Sequence, residues 1–157
     1  MKPSHNESLI RLSLLATTAT TTITSVHHIY RLGLEVLAPA VIVVVLPVGL
    51  MLWFRSSGSR VALWGYALLT GLVFLWFGFI DGFLDHVLKA LGMQNTTFLP
   101  GGEAEVVETA FSLWSPRAGT AFYEGTGIVT FVASVVAVFY AYRLLRASRS
   151  PEAITNS

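Results

Sequence analysis

The sequence contains no cysteine and unusually few charged residues. The absence of cysteine excludes disulfide bonds, thiolate metal sites, iron–sulfur clusters and cysteine nucleophiles. Charged residues make up only 12% of the 157 residues, whereas a soluble domain carries about 25%. The net charge is +1, and the basic residues do not cluster into the face that nucleic-acid binding requires. The composition therefore excludes a disulfide-stabilised domain and a nucleic-acid-binding protein, and it is not typical of a soluble fold.

Hydrophobic residues, by contrast, make up 54% of the chain. A bilayer core about 30 Å thick needs about 20 mostly apolar residues per helix. Four segments meet this requirement, at about 12–30, 36–54, 61–89 and 120–142. We interpret the first as a retained helix rather than a signal peptide, because no small-residue cleavage motif follows its apolar run. The sequence predicts an all-α, polytopic membrane protein with four transmembrane helices.

The connections predict how these helices are arranged. The first two connections are short and force antiparallel neighbours, which gives an up-down four-helix bundle. The third, about 90–119, is long. Within it, residues 103–114 mix apolar and acidic side chains, which favours a short helix lying in the membrane interface. We expect one transmembrane domain over residues 1–146 and a polar tail over 147–157.

The basic residues predict the orientation, because Lys and Arg favour cytoplasmic loops. In an up-down topology most of them fall on one side of the membrane: Lys2, Arg11, Arg55, Arg60, Arg143, Arg146 and Arg149. Only Arg31, Lys89 and Arg117 fall on the other side. We therefore expect a multi-pass protein of the cell membrane with both termini in the cytoplasm. Its expected partners are the lipid bilayer and either other membrane subunits or further copies of the chain.

Histidine and carboxylate residues gather at the predicted outer ends of three helices. Antiparallel packing brings these helix ends to the same depth, so we expect the residues to converge. The candidate metal ligands are His27 and His28 on the first helix, Asp81, Asp85 and His86 on the third, and Glu124 on the fourth. Asp81 lies about 30 Å along its helix from Arg60, at the edge of the hydrocarbon. We expect this carboxyl group to be paired, protonated or metal-bound.

Helical periodicity makes local predictions about the candidate ligands. Asp81 and Asp85 are four residues apart and share a helix face, whereas His86 points about 100° away from Asp85. His27 and His28 also lie about 100° apart on one helix. The sequence therefore leaves open which of these two imidazoles faces the bundle.

Small and hydroxyl residues predict close packing beside these ligands. Gly78 and Gly82 allow another helix to approach the third helix closely. The first helix carries threonines at helical spacing, and two overlapping stripes end at a histidine: Thr17, Thr21, Thr24 and His28, or Thr20, Thr24 and His27. A helix so rich in threonine is expected inside the bundle rather than against lipid.

Four interpretations of the histidine and carboxylate residues remain open. The leading one is a site for a divalent transition metal (zinc, copper, iron or manganese), which imidazole and carboxylate ligands on facing helices suit. A second is proton or ion handling, and a third is a haem held between His86 and either His27 or His28. In the fourth, the residues are ordinary polar groups at helix ends of a non-catalytic subunit of a larger membrane complex. No sequence motif decides whether the protein is an enzyme.

Overall fold

The computed structural model describes residues 5–93 and 108–149. Four long helices lie within them: α1 at His5–Leu32, α2 at Leu37–Ser57, α3 at Arg60–Ala90 and α4 at Pro116–Ala147. A 3-10 turn, Leu34–Val36, joins α1 to α2. Each long helix is apolar enough to cross a membrane, which confirms the four predicted segments. Residues 150–157, most of the expected tail, lie outside the described part of the chain.

Local sequence signals fix the ends of the helices. Gly58 follows α2 in a left-handed conformation (φ 65°), which suits glycine because it has no Cβ. Ser59 and Ser115 precede α3 and α4, and their hydroxyl groups accept hydrogen bonds from the N–H groups of Ala62 and Ala118. Two residues therefore suffice to turn the chain from α2 into α3, and the two helices remain neighbours.

The bundle is more polar inside than outside. The helices contact one another in cyclic order, α1 with α2, α2 with α3, α3 with α4, and α4 with α1. The span of α1 is the least apolar and the most buried, whereas that of α2 is the most apolar and the least buried. Thr17, Thr20, Thr21 and Thr24 are all buried. The threonine-rich helix therefore packs within the bundle, as predicted.

The end of the bundle where α1 begins and α4 ends, here called the terminal end, has an apolar core. Its buried residues are Leu9, Met51, Leu63, Tyr66, Ala141 and Leu144. Next to them lie four buried hydroxyl residues that we call the hydroxyl cluster: Ser13, Thr17, Tyr66 and Thr70. The Tyr66 hydroxyl lies 2.9 Å from Ser13 Oγ and 2.7 Å from Thr17 Oγ1. Thr70 donates to the Tyr66 carbonyl at 2.9 Å, so every hydroxyl in the cluster has a partner.

α3 changes its hydrogen-bonding pattern halfway along. Over Phe74–Val87 it is a π-helix, in which the N–H of residue i+5 bonds to the carbonyl of residue i. At the end of this segment the Leu88 N–H accordingly bonds to the Phe83 carbonyl. Residues five apart are thereby brought onto one face, whereas an α-helix would separate them by about 140° around its axis.

Glycines let this π-helical segment pack closely on α4. A Cβ on Gly78 would lie 2.0 Å from Ser134 Oγ, and one on Gly82 would lie 2.9 Å from the Gly127 carbonyl oxygen. Neither distance is compatible with a side chain, so the close approach expected at Gly78 and Gly82 is confirmed. The contact holds the π-helical face of α3 directly against α4.

The described end of the third connection lies over the end of α1. Residues 108–115 contain no helix, so the interfacial helix expected over 103–114 is absent from this part, and 103–107 lie outside the described residues. The Ala110 N–H instead donates to the Tyr30 carbonyl at 3.1 Å. The Trp114 ring packs against the Tyr30 ring, with 5.7 Å between centroids. Contacts with the end of α1 thus take the place of the backbone hydrogen bonds of a helix.

Candidate metal centre

Two imidazoles and one carboxylate meet at the end of the bundle opposite the terminal end, which we call the metal end. One ring nitrogen of His27, one of His28 and one carboxylate oxygen of Asp81 all lie within 4.8 Å of one another. We call these three residues the metal group. The side chains of His27 and Asp81 are only 1% and 8% exposed, so their polar atoms face each other away from lipid and water.

The His27 ring is oriented by α4. Nδ1 of His27 lies 2.9 Å from Thr126 Oγ1, and the Thr126 hydroxyl donates to the carbonyls of Phe122 and Tyr123 at 2.8 and 2.9 Å. Because that hydroxyl proton points to a carbonyl, Thr126 accepts from His27, and Nδ1 carries the imidazole proton. The Nε2 lone pair of the neutral ring then faces Asp81 Oδ2 at 3.7 Å. The Tyr123 ring stacks on the imidazole, 4.2 Å between centroids.

The His28 ring is oriented by its own helix. Its Nδ1 lies 2.9 Å from the Thr24 carbonyl oxygen. A carbonyl can only accept, so Nδ1 donates and Nε2 is left as the nitrogen that can bind a metal. His27 is buried and His28 is half-buried, and a ring nitrogen of each belongs to the metal group. Both imidazoles therefore face Asp81, a point that the sequence left open.

A third imidazole, that of His86, lies beside Asp81 and in edge-to-face contact with the His27 ring. Nε2 of His86 is 3.9 Å from Asp81 Oδ1, while its Nδ1 is 2.8 Å from Glu124 Oε2. The carboxylate draws the ring proton to Nδ1 and leaves Nε2 directed toward Asp81. The structure differs here from the expectation that His86 diverges from the carboxylate face. That expectation assumed an α-helix, whereas the π-helical pattern brings residues 81 and 86 together.

Gly127 provides the space for the His86 ring. A Cβ at this position would lie 2.0 Å from His86 Cδ2 and 2.6 Å from its Nε2. A side chain there would displace the imidazole. By contrast, a Cβ on Gly125 would have no heavy atom within 4 Å. The site therefore requires glycine at position 127, while nothing in the structure requires it at position 125.

Like His86, the two remaining candidate ligands, Glu124 and Asp85, lie outside the metal group. Glu124 uses both carboxylate oxygens, since Oε2 accepts from His86 and Oε1 accepts from Lys89 Nζ at 2.7 Å. The Lys89 and Glu124 side chains are 29% and 21% exposed, so they link the buried His86 to the protein surface. Asp85 is buried one turn after Asp81, but its oxygens are not among the atoms that converge within 4.8 Å.

Four buried polar atoms within residues 5–93 and 108–149 have no hydrogen-bond partner, and all of them lie at the metal end: Thr24 Oγ1, His27 Nε2, Asp81 Oδ2 and His86 Nε2. Each such atom costs about 1–3 kcal/mol, and native proteins keep few of them. In a tetrahedral site with bonds of about 2.1 Å, two donor atoms stand about 3.4 Å apart. The 3.7 Å between His27 Nε2 and Asp81 Oδ2 is close to that separation. The three donor atoms, all within 4.8 Å of one another, could therefore hold a metal ion.

The sequence did not reveal which residues orient the imidazoles. Thr126 fixes the His27 tautomer and the Thr24 carbonyl fixes that of His28. A signal for the first was present, because Thr126, Thr130 and Ser134 recur every four residues on α4, and the last two are buried. No sequence signal marks the second, since every residue has a carbonyl group.

Comparisons of this chain with protein-family models, with curated proteins and with solved structures found no match. The evidence for a function therefore lies in the sequence and in the geometry of the metal end.

Proposed function

We propose that this protein is a multi-pass membrane protein that binds a divalent transition metal through His27, His28 and Asp81. The observation that carries the proposal is the convergence of these three residues within 4.8 Å, together with the unpartnered state of His27 Nε2 and Asp81 Oδ2. Placing an isolated carboxylate at membrane depth is energetically unfavourable. Coordination offsets that cost, because one cation neutralises the carboxylate and accepts both imidazole lone pairs.

The neighbouring candidates have supporting roles in this proposal. His86 lies 3.9 Å from the second oxygen of Asp81 and is the additional ligand when the ion needs one. Glu124 holds the His86 ring by its Nδ1–H, as carboxylates behind metal-binding histidines commonly do. Asp85 adds negative charge one turn from Asp81 on the same buried face of α3, which favours a cation over an anion.

The ligand types narrow the choice of ion. Two imidazoles and a carboxylate suit zinc, iron(II), manganese and copper(II), whereas copper(I) prefers sulfur ligands. A haem between His27 and His86 is disfavoured. Their rings meet edge to face with centroids only 5.0 Å apart, which leaves no space for a macrocycle between them.

The number of ligands bears on whether the metal is catalytic. Structural zinc sites are closed by four protein ligands, whereas catalytic sites keep one position open for water or substrate. The metal group supplies three ligands, and one position stays open while His86 is not bound, so we propose a centre that is capable of catalysis.

The placement in the membrane follows from the basic residues. We propose alternating helix directions, a single transmembrane domain over residues 1–146 and cytoplasmic termini with the tail 147–157. The support is the cytoplasmic preference of Lys and Arg, most of which flank the terminal end and the α2–α3 turn. The metal group then lies near the outer surface of the membrane.

Elemental analysis by mass spectrometry of detergent-purified protein, prepared without chelators, tests the proposal. We expect near-stoichiometric metal in the wild type and none in Asp81→Ala, with reduced metal in His86→Ala. Tyr66→Phe is the matched control, because it alters a buried polar group at the terminal end and should keep the metal. A wild type that carries no metal and copurifies with other membrane chains would instead support the role of an accessory subunit.

A further inference from the structure

A cavity of about 160 Å³ lies between α1, α2 and α3 at the metal end. Its walls include Thr24 and His28 of α1, Ala40 and Val43 of α2, and Phe77 of α3. His28 thus forms part of the metal group and part of the cavity wall at once. Whatever occupies the cavity lies against one of the proposed metal ligands.

The chemistry of the walls selects an apolar occupant. Apart from His28 and two hydroxyl residues, Thr24 and Ser25, the lining consists of hydrocarbon side chains and a proline. The Ser25 hydroxyl is already used, since it donates to the Ala40 carbonyl at 3.2 Å. A water molecule needs two to four polar partners, whereas a dry apolar cavity of about 150 Å³ binds a benzene-sized molecule. Hydrocarbon fits this cavity better than water does.

The position of the cavity identifies where hydrocarbon comes from. α2 is the least buried of the four spans, and its residues Pro39 and Ile42 are exposed beside the half-buried Ala40 and Val43. The cavity wall is therefore continuous with the lipid-facing surface of α2. A ligand can reach the cavity from the membrane without passing through water.

We propose that the cavity is a binding site for a segment of a membrane-lipid acyl chain, which enters laterally past α2 and lies beside the metal group. The lipid site rests on the membrane insertion proposed above, and its link to the metal rests on the metal site proposed there. Thr24 Oγ1 is buried in the same wall without a hydrogen-bond partner. Because this oxygen is buried behind the wall and not exposed to the cavity, the ligand is the hydrocarbon part of the acyl chain.

Photo-crosslinking tests the lipid site. The full-length protein is reconstituted into phosphatidylcholine vesicles that contain a phospholipid with a diazirine on its acyl chain, and the labelled residues are mapped by mass spectrometry. We expect labels on Thr24, His28 or Phe77 in addition to the exposed residues of α2. In Val43→Phe, whose larger side chain fills the cavity, the labels on these three residues should be lost, while those on the exposed residues of α2 persist.

Adjacent valines offer a matched control. Val44 lines a separate groove between α1 and α2, of about 310 Å³, and does not line the cavity. Val44→Phe should therefore keep the labels that Val43→Phe loses. If Val43→Phe fails to fold, Val36→Phe fills the same cavity from the α1–α2 connection. Labels confined to exposed residues in every variant, or lost equally from Val43→Phe and Val44→Phe, would overturn the proposal.

Metal analysis of the same samples separates the two proposals. Labels that meet these expectations in a protein without metal would establish the lipid site and remove its link to a metal. If the wild type retains metal but carries no labels on Thr24, His28 or Phe77, the lipid site is refuted and the metal site is not.

Discussion

Two buried polar clusters in one bundle differ in how their hydrogen bonds are satisfied. In the hydroxyl cluster, Tyr66 binds Ser13 and Thr17, and Thr70 binds back to its own helix. At the metal end, His27 Nε2 and Asp81 Oδ2 face each other at 3.7 Å, and neither has a hydrogen-bond partner among the described residues. Both clusters lie in helices that are long and apolar enough to span the membrane.

The difference distinguishes buried polar groups that can complete one another's hydrogen bonds from groups that need a ligand to do so. Hydroxyl groups both donate and accept, so a few of them can complete one another's bonds and hold helices together. Imidazole Nε2 atoms and a carboxylate can only accept once the other ring nitrogen holds the proton. A group of acceptors cannot satisfy itself, and the metal ion proposed above would bind its free lone pairs.

The largest expected effect is that of pH on the metal end. Coordination requires neutral imidazoles and an ionised carboxylate, so protons compete with the metal, and occupancy falls as the pH falls. We expect complete release at about pH 4, measured by elemental analysis after equilibrium dialysis. The hydroxyl cluster has no group that protonates in this range, so the terminal end should remain folded. Retention of the metal at that pH would argue against these ligands.

A smaller loss is expected when the support of His86 is weakened. Glu124→Gln keeps the size of the side chain but removes the charge that holds the His86 Nδ1–H. Loss of such outer partners commonly lowers metal affinity by about 10–100-fold. Competition with a chelator of known affinity measures the change. Glu7→Gln is the control, because Glu7 forms an exposed ion pair with Arg11 near the terminal end; an equal loss there would show that the effect is one of general charge.

Two glycines of α4, Gly125 and Gly127, should respond differently to substitution by alanine. Gly127→Ala forces a methyl group into the space of the His86 ring, and such overpacking costs about 1–3 kcal/mol. Gly125→Ala meets no heavy atom within 4 Å and should stabilise α4 by about 0.5–1 kcal/mol. Unfolding in mixed detergent micelles measures both. If the two substitutions had the same effect, the position assigned to His86 would be incorrect.

The smallest effect is expected in the hydroxyl cluster. Tyr66→Phe removes the hydroxyl that joins Ser13 to Thr17. Side-chain hydrogen bonds between membrane helices contribute about 0.6 kcal/mol on average, so stability should fall by roughly that amount. Metal content should not change. A large loss of metal in this variant would show that the two clusters are coupled, contrary to the comparison.

The fold was largely predictable because hydropathy determines which segments can cross a bilayer. All four spans and the burial of the threonine-rich α1 followed from composition and helical spacing. The absence of helix over 108–115 did not, because backbone pairing of Ala110 with Tyr30 depends on tertiary contact. A stretch of mixed apolar and acidic residues is compatible with a helix and also with a non-helical segment.

Three of the six predicted ligands converge in the metal group, but the geometry of the site was not predictable. Convergence of His27, His28 and Asp81 followed from antiparallel packing of helix ends. The approach of His86 to Asp81 did not follow, because no local signal marks the change of α3 to π-helical hydrogen bonding. Close packing through Gly78 and Gly82 accompanies that change, and it depends on the partner helix.

X-ray absorption spectroscopy of the metal-loaded protein tests the proposed ligands, because it reports the atoms bound to the ion. We expect a first shell of nitrogen and oxygen atoms at about 2.0–2.2 Å, with the outer-shell scattering of at least two imidazole rings. The substitution His27→Ala should reduce the imidazole scattering by the contribution of one ring. A shell of oxygen atoms alone, without imidazole scattering, would contradict the assignment of His27 and His28 as ligands.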